Sequence, residues 1–335
     1  MQSDTLNQKH LLLDAPATGC GFVGKHFACA DGEGFVHLIG SDGADAKKRL
    51  HEGAILSFAT DEKTATAYSG GDDGAVMKMA SGADPVPLHK SSKWVDIVVS
   101  SPHGHVAWAA GKSIFLLKKG QEEAAIVSAP SSVGGLAFSP DGKWLGAAVY
   151  GGALLILLAN PDKTQMLDWQ GSHGTIGFSP DGRFCVTSML ENALHVWRID
   201  KPGEKHGRMG AYPAKPLSFS WTADGRYLAT SGADVLVLWP FIQADGPIGQ
   251  SAGVVSLEQQ SLVRAVACRP RSQHVAIGHI DGSVTLYDRK AQQHHVLAPA
   301  SSMGPVIELK FSADGRSLGF IREGGEAGLF DLGAP

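Results

Sequence analysis

Short apolar segments alternate with polar turns along the whole chain. Val133–Phe138 and Lys143–Val149 are two such segments, and Ser139–Gly142 (Ser-Pro-Asp-Gly) separates them. In this tetrapeptide proline presets φ at the second turn position, aspartate bonds to nearby backbone, and glycine ends the turn. A tight turn between two apolar segments is typical of a β-hairpin. Because no long segment places apolar residues at helical spacing, the pattern predicts an all-β protein.

The same turn recurs at regular intervals. It is clearest in the hexapeptides that begin at Phe138, Phe178, Trp221 and Phe311. Aligned on this first turn, which falls near residues 24, 62, 103, 141, 181, 224, 272 and 314, the repeats average about 41 residues, a period found in four-stranded propeller blades. The predicted repeats are 19–53, 54–92, 93–131, 132–173, 174–213, 214–261, 262–302 and 303–335, in a single domain of residues 1–335.

A second turn and a third strand follow each hairpin. The second turn is visible at Asp73-Gly74 and Asp281-Gly282, and third strands such as Val284–Asp288 and Leu194–Arg198 have an aromatic residue just before their end. With these features the whole chain resembles the WD40-repeat β-propeller family, in particular its stand-alone bacterial members. The resemblance implies a closed propeller of four-stranded antiparallel blades. Eight blades are expected, and seven are the alternative if the first repeat is irregular.

The resemblance also implies a hydrogen-bonded set inside one blade. His173, Ser188 and Trp197 stand where the family would need its members, and Asn192 stands where aspartate is usual. No repeat has the Trp-Asp pair that names the family.

The two ends of the chain predict how the ring closes. The last repeat stops after its third strand, at Phe330–Leu332, and lacks a fourth. An apolar segment, His10–Asp14, precedes the first repeat. If residues 1–16 supply the missing strand of the last blade, the ring has no open sheet edge at its ends.

Composition excludes several classes of partner. The formal net charge is −4 and the isoelectric point about 6.4, which gives no basic field for nucleic acid. The most apolar stretch, Gly151–Ala159, is far shorter than the roughly 20 residues of a membrane-spanning helix. The N-terminus lacks the pattern of a secretion signal, and four cysteines without CxxC spacing are typical of a reducing compartment. We therefore expect a cytoplasmic protein with no nucleic-acid or membrane partner.

Two catalytic motifs occur in unsuitable contexts. Gly19–Gly24 reads GxGxxG, but the segment after it, Lys25–Val36, has turns instead of the helix that would receive a pyrophosphate. Gly249–Gly253 reads GxSxG, but its Ser251 lies in a long insertion, Ile242–Gly253, and not at a strand-to-helix turn. The sequence predicts no catalytic residue and no bound cofactor.

The fourteen histidines do not assemble a local metal site. His103 and His105 align with turn residues of the next repeat, and His294 and His295 are neighbours on a strand, so their side chains point to opposite faces. A closed zinc site needs four convergent ligands. No metal ligand is therefore assigned from local spacing.

The family resemblance implies a non-catalytic scaffold that binds a protein or peptide on the narrow face of the propeller, at the channel entrance. Propellers of this family expose side chains there from the start of the first strand and from the second turn. The residues of this chain at such positions are Trp94, Lys215, Arg264, His279, Glu308 and Arg322. A rim that mixes tryptophan, arginine and histidine has the composition of an interface hot spot.

A second hypothesis concerns a different class of protein. Propeller enzymes and carriers place carboxylates and histidines around the channel mouth, where residues from distant blades converge. The candidates for such a site are His279, Glu308, Asp96 and Asp73. On this reading the protein handles a metal or a small molecule, with a link to metal homeostasis.

Overall fold

The fold is built from β-strands alone in the part of the chain that the structure describes. The structure is a computed structural model, and it describes residues 8–40, 45–201 and 205–335. The first strands in chain order are β1 (Gln8–Leu12), β2 (Ala17–Val23), β3 (His26–Asp31), β4 (Phe35–Ile39), β5 (Ala46–Arg49), β6 (Ile55–Asp61), β7 (Thr66–Gly71), β8 (Ala75–Ala80), β9 (Val86–Lys90), β10 (Ile97–Ser100), β11 (Val106–Ala110), β12 (Ser113–Leu117) and β13 (Ala125–Ser128). The remaining strands are β14 (Gly135–Phe138), β15 (Trp144–Leu157), β16 (Thr164–Phe178), β17 (Phe184–Met189), β18 (Ala193–Arg198), β19 (His206–Met209), β20 (Phe219–Trp221), β21 (Tyr227–Thr230), β22 (Leu236–Pro240), β23 (Gly253–Val255), β24 (Val263–Cys268), β25 (His274–His279), β26 (Val284–Asp288), β27 (Gln293–Ala298), β28 (Val306–Phe311), β29 (Ser317–Arg322) and β30 (Glu326–Asp331).

These strands form seven antiparallel sheets arranged as a β-propeller. Six sheets have four strands each: β2–β5, β6–β9, β10–β13, β20–β23, β24–β27, and β1 with β28–β30. The seventh, β14–β19, has six strands. Counted as hydrogen-bonded sheets the propeller has seven blades, and the prediction of eight four-stranded blades is wrong.

The difference arises where repeats 132–173 and 174–213 meet. β15 and β16 are 14 and 15 residues long, so each contains two of the predicted strands. Gly151 and Gly152 reverse β15 with φ of 89° and 141°, and the N–H of Leu158 donates to the carbonyl of Lys143 (2.9 Å). Tyr150 pairs with Ser172, which keeps the two repeats in one sheet. The first repeat, whose irregularity would have given seven blades, forms the regular sheet β2–β5.

The N-terminal strand closes the ring, as the sequence predicts. β1 pairs antiparallel with β30, from Gln8 opposite Phe330 to Leu12 opposite Glu326. The N–H of Leu13 extends this contact by donating to the carbonyl of Gly325 (2.7 Å). β2, the first strand of the first repeat, contacts β28, the first strand of the last. Residues 1–7 of the predicted closing segment lie outside the described residues.

The Ser-Pro-Asp-Gly turns form the hairpins predicted from them. In the turn after β14, the Ser139 hydroxyl donates to Asp141 (2.6 Å) and accepts from the N–H of Trp144 (2.8 Å). Gly142 closes the turn at φ 69°, a left-handed conformation that glycine adopts without strain. The serine and aspartate side chains therefore fix the spacing between the first two strands of the repeat.

Neighbouring blades pack because small residues of one face large residues of the next. A Cβ on Gly19 would lie 2.8 Å from the Cβ of Phe58, and a Cβ on Gly21 2.3 Å from the hydroxyl of Thr60. These glycines belong to the GxGxxG segment, which lies on β2 and its turn and leads into a strand, β3. Their role in the fold is to admit the side chains of β6.

Candidate partner-binding face

One end of the propeller carries the second turn of each repeat together with the connections between repeats. Backbone hydrogen bonds join the two kinds of loop: Leu190 donates to Ser172 (3.1 Å), and Ile280 donates to Leu262 (2.9 Å). Val95, in the connection before β10, donates to Gly71 beside the second turn of the preceding repeat (3.0 Å). We call this end the upper face. The Ser-Pro-Asp-Gly turns lie at the opposite end, the lower face.

In the described part of the chain the upper face has five large exposed apolar side chains, more than the lower face has. These side chains are Trp94 (67% exposed), Tyr150 (65%), Leu190 (62%), Leu217 (39%) and Ile280 (43%). On the lower face there is Ile242, beside the turns at Asp181 and Asp224. The other large exposed apolar residues in the described part of the chain are on β1 or on outer strands: Leu12, Val86, Ile126, Val254 and Val296.

The five apolar residues form an arc over part of the upper face. They come one each from five consecutive repeats, from 93–131 to 262–302. In the other three repeats the second turn carries an acid, Glu33, Asp72 or Glu323, with some or all of its surface exposed. The exposed apolar residues thus lie on one side of the upper face, whereas second-turn acids occur on both sides, as Glu191, Asp234 and Asp281 show.

Three of the residues predicted for the binding face lie on the apolar side. Trp94 is exposed just before β10, and Arg264 is half-buried near the start of β24. The Lys215 ammonium lies over Gly174, where an added Cβ would be 3.5 Å from Lys215 Nζ. The structure therefore brings these three residues to the same face.

His279 and Arg322 are buried, and their side chains are not available to a partner. His279 Nδ1 donates to the carbonyl of Ser261 (3.0 Å), which leaves Nε2 to accept from the Thr285 hydroxyl (3.3 Å). Burial lowers the pKa of His279, so the ring is held neutral. These contacts were not visible in the sequence, because Ser261 is 18 residues away.

Arg322 spans the connection between the last two repeats. Its Nε donates to Gly282 (2.8 Å) and its Nη2 to Pro299 (3.1 Å). Nη1 donates to the carboxylate of Glu326, which also accepts from Ser301 (3.0 Å). Every contact is within the fold, so Arg322 stabilises the upper face instead of extending from it.

Glu308 joins the last repeat to the first. Its Oε2 accepts the N–H of Cys20 on β2 (2.7 Å), and its Oε1 is 3.0 Å from the ammonium of Lys310. The Glu308 carboxylate raises the pKa of Lys310. At the equivalent register of β6, Ser57 accepts the N–H of Val98 on β10 (2.9 Å). Glu308 therefore belongs to a set of side chains that tie the first strand of one repeat to the first strand of the next.

Two residues of the metal or small-molecule hypothesis, Asp73 and Asp96, have different surroundings. Asp73 accepts from Nδ1 of the buried His51 (3.1 Å) and from the N–H of Ala75 (2.8 Å). Burial alone would raise the pKa of Asp73, but these donors lower it. Asp96 is exposed beside Trp94. Within residues 8–40, 45–201 and 205–335, no group of three histidine, cysteine, aspartate or glutamate side chains is placed to hold a metal ion.

The hydrogen-bonded set expected around His173 has a different composition. His173 Nδ1 bonds to the hydroxyl of Thr187 (2.7 Å), and its Nε2 is 3.0 Å from the carbonyl of Trp169. Ser188 instead accepts the N–H of Thr175 (3.0 Å). The same kind of pair links repeats 19–53 and 54–92, where His51 Nε2 bonds to Ser69 (2.8 Å). A buried histidine bonded to a hydroxyl on the second strand is thus a recurring element.

Sequence reasoning missed the apolar residues of the second turns. Tyr150, Leu190 and Ile280 follow the second strand of their repeats, at positions where other repeats have glycine or an acid. An alignment of the second turns of all repeats would have shown these apolar substitutions.

In the described residues, no helix is long and apolar enough to cross a membrane.

Comparisons with known proteins bear on the fold. No family model matches the chain, and no curated protein matches it. The crystal structure of the computationally designed Ika8 protein is similar to it, with a TM-score of 0.75 over 96% of this chain and 97% of that one. The two sequences are 16% identical. In all, 1736 chains of solved structures match, so the β-propeller fold is shown but is too common to identify an activity.

Proposed function

We propose that this protein is a non-catalytic, WD40-like scaffold that binds a protein or peptide partner on its upper face. The observation that carries the proposal is the uneven distribution of exposed apolar residues. Five consecutive repeats each place one on the upper face, whereas the lower face has Ile242. Contiguous exposed apolar side chains with charged neighbours are typical of protein interaction sites.

The architecture supports rigid recognition. The loops of the upper face are tied to one another by backbone bonds, as between Ile280 and Leu262, and by buried side chains such as Arg322 and His279. Little conformational entropy is lost when such a surface associates, so more of the interaction energy remains as affinity. Lys215, two residues before Leu217, adds a positive charge to this surface.

Two features support the WD40-like assignment. The first is the recurring turn with a hydroxyl bonded to aspartate two residues later, as at Ser139 and Ser312. The second is the buried histidine bonded to a hydroxyl on the second strand, as at His51 and His173. In the family that the sequence resembles, such a propeller has no active site of its own and serves as a docking platform.

Affinity capture from the source cell tests the proposal. The bait is the full chain, compared with the double variant Trp94→Ala/Arg264→Ala and with the control Ile242→Ala/Val254→Ala, which removes exposed apolar surface elsewhere. Partners captured by the wild type and the control, but lost from the Trp94/Arg264 variant, support the upper face. Partners retained equally by all three proteins would contradict it.

A further inference from the structure

Two cysteines face each other across the first hairpin of the propeller. Cys20 on β2 and Cys29 on β3 are directly opposite in the register of the two strands. The N–H of Cys20 donates to Glu308 Oε2 (2.7 Å) and is therefore directed away from β3. The two cysteines are thus a non-hydrogen-bonded pair, the kind in which opposite side chains approach most closely.

The spacing of such a pair suits a disulfide. Opposite residues of a non-hydrogen-bonded antiparallel pair have Cα atoms about 4.5 Å apart, and a disulfide joins Cα atoms about 4.4–6.8 Å apart. All four cysteines of the chain are free thiols. Cys185 is opposite Phe178 and Trp197, and Cys268 is opposite Val275, so neither has a cysteine across its hairpin.

The contact between the first and last blades buries both thiols. Cys20 is 2% exposed and Cys29 0%. They share one core cluster with Ile321 and Leu329 of the last blade, whereas Ala28, on the opposite face of β3, packs in the cluster formed with the second blade. We call this contact between the first and last blades the closure interface. Its separation would expose both thiols.

The closed ring keeps the thiols unreactive. Burial raises the pKa of Cys20 and of Cys29, and the nearby Glu308 carboxylate raises both further. Because the thiolate is the nucleophile in thiol oxidation, the pair resists oxidants while the blades are in contact. Separation of the blades removes both causes together, since Glu308 belongs to the last blade and leaves with it.

The closure interface is held by the two ends of the chain. β1 is the outermost strand of the last sheet and pairs with β30. Along its length it is exposed or half-buried, with no fully buried residue. Local opening in proteins needs the least free energy at such terminal and peripheral segments. We therefore expect local opening of the ring to begin at the closure interface.

We infer that Cys20 and Cys29 form a reversible redox site, which closes to a disulfide when hydrogen peroxide reaches the opened closure interface. One thiolate attacks the peroxide, the O–O bond breaks, and hydroxide leaves and takes up the proton of that thiol, which gives a sulfenic acid and water. The other thiol attacks the sulfenic sulfur, so that the S–S bond forms, the S–O bond breaks and a second water leaves. Two thiols are oxidised and one peroxide is reduced. This site is independent of partner binding on the upper face.

Peroxide treatment of the purified full chain tests the site. After timed exposure the remaining thiols are alkylated in denaturant, and the protein is digested with trypsin without reduction. Lys25 lies between the two cysteines, so cleavage leaves Cys20 and Cys29 on separate peptides that a disulfide would join. Mass spectrometry measures the joined peptides, which the wild type should form slowly and which dithiothreitol should separate. Cys185 should stay available to the alkylating reagent.

A variant that strains the closure interface should accelerate the reaction. A Cβ on Gly319 of the last blade would lie 2.1 Å from the ring of Phe27 on β3. Gly319→Ala should therefore raise the rate of disulfide formation at least about tenfold, since the rate follows the population of the open form. The matched control is Gly177→Ala, whose Cβ would lie 2.7 Å from the ring of Phe219 in another contact between blades. It should leave the rate within about twofold.

A second variant covers the case in which Gly319→Ala does not fold. Leu329→Ala removes a side chain that the last blade contributes to the cluster around the thiols, and it should accelerate the reaction in the same direction. Far-ultraviolet circular dichroism verifies that each variant is folded before peroxide is added. The absence of joined peptides from both variants, or links to Cys268 in their place, would overturn the redox pair. Equal acceleration by Gly177→Ala would show that the thiols react from the globally unfolded chain and would overturn the role of the closure interface.

Discussion

His195 provides a quantitative test of how this propeller buries its polar groups. The ring is fully buried, and neither of its nitrogens has a hydrogen-bond partner in the described structure. Burial, with smaller contributions from His206, His173 and Arg208, lowers the pKa of His195 from 6.5 to about 3. The folded protein therefore contains a neutral imidazole at any pH above about 3, whereas the unfolded chain takes up a proton below 6.5.

The sign and size of the pH effect follow from these values. Because the unfolded state binds the proton more tightly, the stability associated with His195 is complete above pH 6.5 and is lost as the pH falls toward 3. Each pH unit in this window changes the free energy of unfolding by about 1.4 kcal/mol. Between pH 7.5 and pH 5 the loss is therefore about 2 kcal/mol.

The substitution His195→Phe removes the titrating group and keeps an aromatic ring. At pH 7.5 it forfeits no hydrogen bond, so its free energy of unfolding should lie within about 1 kcal/mol of the wild type, the difference coming from the larger ring. At pH 5 the variant should gain about 2 kcal/mol relative to the wild type. Urea unfolding at the two pH values measures both quantities.

A matched control is available in His279→Phe. His279 is also fully buried, but both of its nitrogens are bonded, to Ser261 and Thr285. The control should lose at least about 2 kcal/mol at pH 7.5, because it leaves a carbonyl and a hydroxyl without partners. If His195→Phe is destabilised as much as this control, or if its advantage does not grow at pH 5, the account of His195 is wrong.

Three further predictions concern the ring and its packing. Removing residues 1–14 exposes the edge of β30 and the surface covered by Leu13, so the free energy of unfolding should fall by at least about 3 kcal/mol; an unchanged calorimetric melting curve would contradict closure by β1. Gly319→Ala should lower the free energy of unfolding, measured in urea, by about 1–3 kcal/mol, because the new Cβ would lie 2.1 Å from the ring of Phe27. The control Gly253→Ala should be nearly neutral, because its Cβ would lie 3.7 Å from the nearest atom, the carbonyl oxygen of Leu238. Glu308→Gln keeps an acceptor for the N–H of Cys20 and should be tolerated, whereas Glu308→Ala should cost about 1–3 kcal/mol; equal stability of the two variants would show that this bond contributes nothing.

The sequence predicted the architecture better than the number of blades. Proline, aspartate and glycine encode the clearest hairpins locally, as in Ser139–Gly142, and the strand Val284–Asp288 was placed to the residue. Closure by the N-terminus was also confirmed by the pairing of β1 with β30. It could be predicted because the last repeat lacks a fourth strand and an unassigned apolar segment precedes the first repeat. The link between Tyr150 and Ser172 was not predicted, since it depends on how two neighbouring repeats are oriented after they fold.

The candidate site shows the same division. Trp94, Lys215 and Arg264 were assigned to the binding face from their position in the repeat; Trp94 is exposed and Arg264 half-buried, and their role in binding stays a prediction. His279 and Arg322 occupy comparable positions but are buried, because loops distant in sequence supply the carbonyls that bond them. Tyr150 and Leu190 became notable only when their exposure was known.

What the sequence determined by itself is the repeated hairpin, the strand-only content and the pairing of the two chain ends, since each depends on local turn chemistry and apolar alternation. The tertiary structure alone decided which polar side chains are consumed inside the fold, how many sheets remain separate, and where apolar side chains stay exposed. These properties depend on contacts between residues far apart in the chain, whose free energies no local pattern encodes.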